Sequence, residues 1–126
     1  MDTTEAIKQL VTEKLGCRCP AEVFRHIEIQ AEPVVAEGLK LTKRINIGNR
    51  LLIYLLQVDD SQEINKNLEM LLDTGIKDRD ANKFNRIRIV IISDRKNDYN
   101  KYAMAFSKLN KDDKAHLHIL GTDEID

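Results

Sequence analysis

Hydrophobic and polar positions recur along this chain with two periods, one near 3.6 residues and one of two, and the switches between them predict its elements. Ile7, Leu10, Val11 and Leu15 share one helical face between Asp2 and Leu15. Asp2 and Glu5 stand at capping-box spacing before them, and Gly16 stands where a helix commonly stops. Pro20, favoured at a first helical position, predicts a second short helix beginning at or just after Cys19. From Ile27 the period drops to two. Ile27 to Gln30 reads as a strand that Pro33 ends, and Leu39, Leu41, Lys43, Ile45 and Ile47 alternate through another. Gly48-Asn49 can turn the chain into Arg50 to Val58, apolar on both faces and therefore buried, so a β-hairpin is expected.

Asp60 and Glu63 repeat the capping-box spacing ahead of Ile64, Leu68, Leu71 and Leu72, and Gly75 is expected to close that helix. Lys77 to Asn85 then reads as a charged connector, followed by a strand from Arg86 to Ser93 around the run Ile89-Val90-Ile91-Ile92. Asp98 can cap a helix from Tyr99 to about Leu109, with Tyr102, Ala105, Phe106 and Leu109 toward the core. Lys108 to Lys114 is a solvated turn, and Ala115 to Leu120 a last strand. This order predicts an α/β fold with N-terminal helices, an antiparallel hairpin region, and then a β-α-β-α-β segment whose right-handed crossovers make its part of a mixed sheet parallel. No repeat or change of composition divides residues 1–126, so one domain is expected.

Composition narrows the class. Hydrophobic residues at 42% and charged residues at 33% suit a globular core under a charged surface, and 126 residues are enough to build that core without covalent staples. Twenty Lys and Arg against 21 Asp and Glu leave no overall field to draw the chain onto nucleic acid or an acidic membrane. Lys83, Arg86, Arg88, Arg95, Lys96 and Lys101 make the middle of the chain basic, yet no aromatic residues are interleaved for base stacking, so a solvated face is expected there. The longest apolar stretch, Leu51 to Leu56, is too short for a bilayer, and the acidic amino terminus lacks signal-peptide character. These features place the chain in the cytoplasm, away from membranes, with a protein or a second copy of itself as the expected partner. They name no cofactor.

Chemistry is most concentrated at Cys17-Arg18-Cys19-Pro20. If Pro20 opens a helix, Cys19 caps it, where free backbone amides and the Arg18 charge favour a thiolate, and Cys17 is near enough to resolve an oxidised partner. So short a loop suits redox or metal chemistry better than a structural disulfide. A metal would need further ligands. His116 and His118 share one face of the last strand and could complete a Cys2His2 site, or a symmetric dimer could supply a second cysteine pair. His26 lies at a helix-to-strand change, where spacing fixes nothing.

Two further readings stand beside the thiol site. Parallel strands place ligands beyond their carboxyl ends, near a topological switch point, which would gather Asp59, Ser93, Asp94 and Asp123 on one rim able to hold magnesium and a phosphate. The segment Leu55-Leu56-Gln57-Val58-Asp59-Asp60-Ser61 with Ile64, Leu68 and Leu71 resembles the opening strand and helix of response-regulator receiver domains, whose adjacent acidic residues hold magnesium; the resemblance ends with that helix, because only two strands follow. The other reading is a non-catalytic binding or assembly module that docks a partner on its first helix or on an exposed edge, the strand from Leu39 to Ile47, whose Lys40, Thr42, Arg44 and Asn46 would form a wet face. The G-x-G-x-x-G, P-loop, G-x-S-x-G and H-E-x-x-H patterns are all missing from the chain.

Overall fold

Strands form in each segment expected to hold one, with a further short strand at Val34–Ala36 that was not expected, and a computed structural model shows how they pair. The residues it describes are 9, 26–36, 39–57, 61–94 and 99–121. Residue 9 apart, the two expected N-terminal helices lie outside them, as do the caps at Asp60 and Asp98. A mixed five-stranded sheet has the order β1-β4-β5-β6-β7, where β1 is Ile27–Ala31, β4 Lys43–Ile47, β5 Leu51–Gln57, β6 Arg86–Ile92 and β7 Ala115–Leu120. Two short strands, β2 (Val34–Ala36) and β3 (Leu39–Lys40), pair separately. β1, β4 and β5 are antiparallel, whereas β5, β6 and β7 are parallel, as expected for the two β-α-β units.

The hairpin between β4 and β5 follows from its turn residues. Gly48 and Asn49 have φ of 60° and 56°, the pair of positive values that a type I′ turn needs and that matches strand twist. The Arg50 amide donates to the Ile47 carbonyl across the turn, and the Asn49 amide donates to Asn46 Oδ1.

The expected strand from Leu39 to Ile47 is divided in two. Leu41 donates its amide to the Pro33 carbonyl and Thr42 donates to the Leu55 carbonyl, so the chain changes partner without losing its alternation. Nor is β4 an edge. It lies between β1 and β5, Asn46 is buried, and Arg44 is tied to Asp78, so of the four residues of the supposed wet face Lys40 alone is exposed.

That helix, α1, runs from Ser61 to Ala81 and passes straight through Gly75. Leu68, Leu71, Leu72, Gly75 and Arg79 form one continuous stripe, and a Cβ on Gly75 would collide with Ile87 Cδ1 and touch Tyr54. Gly75 therefore permits close approach to the sheet instead of stopping the helix. The stop comes eight residues later: Lys83 takes φ of 61°, its amide donates to the Asp80 carbonyl, and the Phe84 amide donates to the Arg79 carbonyl. This is the Schellman arrangement, with buried Phe84 as its apolar contact and lysine in the position glycine usually fills.

The second described helix, α2 (Tyr99–Leu109), buries Tyr102 and Phe106, while Leu109, expected toward the core, remains 38% exposed at its end. Both helices cover one sheet face, where Leu68, Leu71, Tyr102 and Phe106 pack on Leu52, Tyr54, Ile87, Ile89 and Ile91. On the opposite face Ile45, Ile47, Leu51, Ile53, Leu55, Val90, Ile92 and Leu120 form a second buried cluster. No described helix is long and apolar enough to cross a membrane.

Candidate anion-binding face

Strand alternation positions the site. In β6 the residues Ile87, Ile89 and Ile91 point toward the helices, so Arg86, Arg88 and Val90 share the opposite face. In β7 the same rule sends His116 and His118 to that face. Arg88 stands in register with His116, and Val90 with His118. The arginines lean across to the histidines: Arg86 Nη1 lies 3.1 Å from His116 Nε2, and Arg88 Nη1 lies 2.8 Å from His118 Nε2.

A guanidinium has only donors, so each Nε2 must accept, which leaves both imidazoles neutral with their protons on Nδ1. The surroundings favour that state. Burial, then the charge of Arg88 and the neighbouring His116, pushes His118 down to about 4. His116 is also lowered, chiefly by burial and then by Arg88 and Arg86, against a weaker opposing pull from Asp113 and Asp112. Arg88 itself lies below its ordinary value because of burial and the like charge of Arg86.

Half-buried Arg44 and buried Arg79 are engaged differently. Arg44 makes a two-pronged bond to Asp78, at 2.8 and 2.7 Å, and Tyr54 and Asn82 donate to the same carboxylate. Burial alone would raise Asp78, but the bonds from Arg44 and Tyr54 outweigh it and leave the carboxyl below its ordinary value. Burial and the Asp78 bond raise Tyr54, which therefore stays protonated. Arg79 grips Asp112 at 2.9 and 2.6 Å and brings it down to about 2. Each of these arginines is neutralised by a carboxylate, and each pins α1 to another element.

The residues singled out in the sequence are distributed unevenly. His116 and His118 do share a face, as foreseen, but their Nε2 atoms already accept from arginines, and the adjacent guanidiniums oppose binding of a further cation. Among the described residues no group of three or more His, Cys, Asp or Glu is arranged to hold a metal ion. Cys17 and Cys19 lie outside the described residues, as do Asp59 and Asp123. At the end of β6, Ser93 is buried, with its amide donating to the Leu120 carbonyl and its own carbonyl accepting from the Tyr99 hydroxyl, while Asp94 is exposed. The carboxyl ends of β5, β6 and β7 share one edge, but the chain steps across them in one direction, so the described sheet has no topological switch point between them. The Arg-His pairing was missed although its signal is present: two i, i+2 polar pairs, Arg86/Arg88 and His116/His118, on strands that a crossover makes neighbours.

Comparison with protein-family models, with curated proteins and with solved structures gives no match for this chain.

Proposed function

We propose that this domain is a binding module that holds an oxyanion, a phosphate or a carboxylate group, on the β6–β7 face. The observation that supports this reading is the partner choice of Arg86 and Arg88. An imidazole acceptor orients a guanidinium without itself bringing a negative charge, unlike the carboxylates that hold Arg44 and Arg79. Burial first and the like charge of exposed Arg86 second hold Arg88 below its ordinary value, and a bound oxyanion opposes both. The planar fork of a guanidinium also matches phosphate and carboxylate oxygens in pairs.

Calorimetric titration with inorganic phosphate at pH 7 tests the reading. Saturable binding is expected, weakened about tenfold or more when Arg86→Gln and Arg88→Gln are combined and retained when Cys17→Ser and Cys19→Ser are combined. Absence of saturable binding, equal affinity in the arginine variant, or loss in the cysteine variant would count against it.

A further inference from the structure

Five large hydrophobic side chains stay exposed among the described residues, and three of them, Met70, Met104 and Leu109, lie on the helix layer. A groove runs between α1 and α2 there, lined by Leu72 and Ile76 from one helix and Leu109 from the other, with Met70 beside it. Its charged borders differ in sign. Over Leu68 to Ala81, α1 exposes Glu69, Asp73 and Asp80 against one lysine, Lys77, which pairs with Asp73 at 3.0 Å. Arg79 reaches Asp80 from below. Helix α2 has no carboxylate, and its two charged side chains, Lys101 and Lys108, are both exposed. They stand at i and i+7 around Met104 at i+3, so one outer stripe carries both lysines and the most exposed methionine of the helix layer.

The surrounding charges keep this division. Just past α2, Lys111 is exposed, Asp112 is held by Arg79, and Asp113 lines the groove on the other flank of α2. The side chains of Glu69, Lys101 and Lys108 make no ion pair or hydrogen bond with another described residue. Each border therefore has charge to offer a partner of opposite sign.

Symmetry identifies that partner. Each helix returns the chain from the end of one parallel strand to the start of the next, so α1 and α2 run in the same direction on one sheet face. A two-fold axis laid along the groove, in the plane of contact, sets α1 of each copy over α2 of the other, and acidic border meets basic border twice. An axis across the helices would set like on like. An isologous contact requires a patch that complements itself, and an acidic and a basic border on either side of an apolar groove meet that requirement. Methionines suit such a contact because their flexible side chains adapt to a facing surface.

We infer that the α1–α2 face is a self-association surface whose occupant is a second copy of this chain, docked about a two-fold axis along the groove so that Glu69 and Asp73 of one copy meet Lys101 and Lys108 of the other. The contact lies on the sheet face opposite Arg86 and Arg88, so it leaves them open and stands or falls independently of the anion-binding reading.

Sedimentation equilibrium of the whole chain tests this. At about 100 μM the wild type is expected to form dimers, which weaken as NaCl rises from about 50 to about 500 mM. Lys101→Glu combined with Lys108→Glu should weaken dimerisation about tenfold or more, and so should Glu69→Lys combined with Asp73→Lys. An equimolar mixture of these two double variants should restore dimers, because acid then meets base at both contacts of the mixed pair. A wild type that stays monomeric, a dimer indifferent to salt, double variants that associate as tightly as wild type, or a loss that mixing fails to reverse would each overturn the proposal.

Discussion

His118 is a half-buried imidazole held well below its ordinary pKa. Its pKa near 4 means that, as pH falls from 6.5, the unfolded chain takes up a proton that the folded one refuses. Above 6.5 both states are neutral and the residue contributes nothing to pH dependence. Between 6.5 and 4 folding therefore loses stability, by about 1 kcal/mol on going from pH 7 to pH 5 once solvent screening of this half-buried ring is allowed for. Urea denaturation at the two pH values checks this: wild type should lose more stability than His118→Gln over that interval, and equal losses would contradict the assignment.

At the scale of elements, α1 carries the clearest lessons. Lys83 occupies the left-handed position of its terminal motif, where a side chain costs about 1 kcal/mol that glycine avoids. Lys83→Gly is therefore expected to raise stability by about 0.5–1 kcal/mol, less any gain in the entropy of the unfolded chain, read as an increase in Tm. Gly75→Val forces two methyl groups toward Ile87 and Tyr54 in a filled core and should cost about 2 kcal/mol, read as a lower urea midpoint. The two residues also show what the sequence leaves legible. β6, α2 and β7 were readable almost to the residue, because apolar periodicity, turn residues and burial agree there. The end of α1 was not, since its glycine serves packing and its cap is a lysine. Arg44 and Asn46 read as solvated because alternation reveals which residues share a face, but not which element covers that face. For the site, the common face of His116 and His118 was legible, while their guanidinium partners depended on β6 and β7 being neighbours.

At the scale of the whole molecule, two kinds of arginine cluster stand out among the described residues. The Arg44-Asp78-Tyr54 and Arg79-Asp112 clusters are closed: each charge is met by its opposite, and both fasten α1, to the sheet through β4 and β5 and to the turn before β7. The Arg86-His116 and Arg88-His118 pairs sit at the β7 end of the sheet, where the second apolar cluster gives way to cations and neutral rings. The pKa of His118 reports directly on whether this face holds an anion. An oxyanion bound beside the ring favours its protonated form, so NMR titration of the His118 ring protons should give a pKa near 4 in chloride buffer and a value raised by about one unit or more in saturating phosphate. A His118 pKa that is the same in both buffers would contradict the assignment of this face as an anion site.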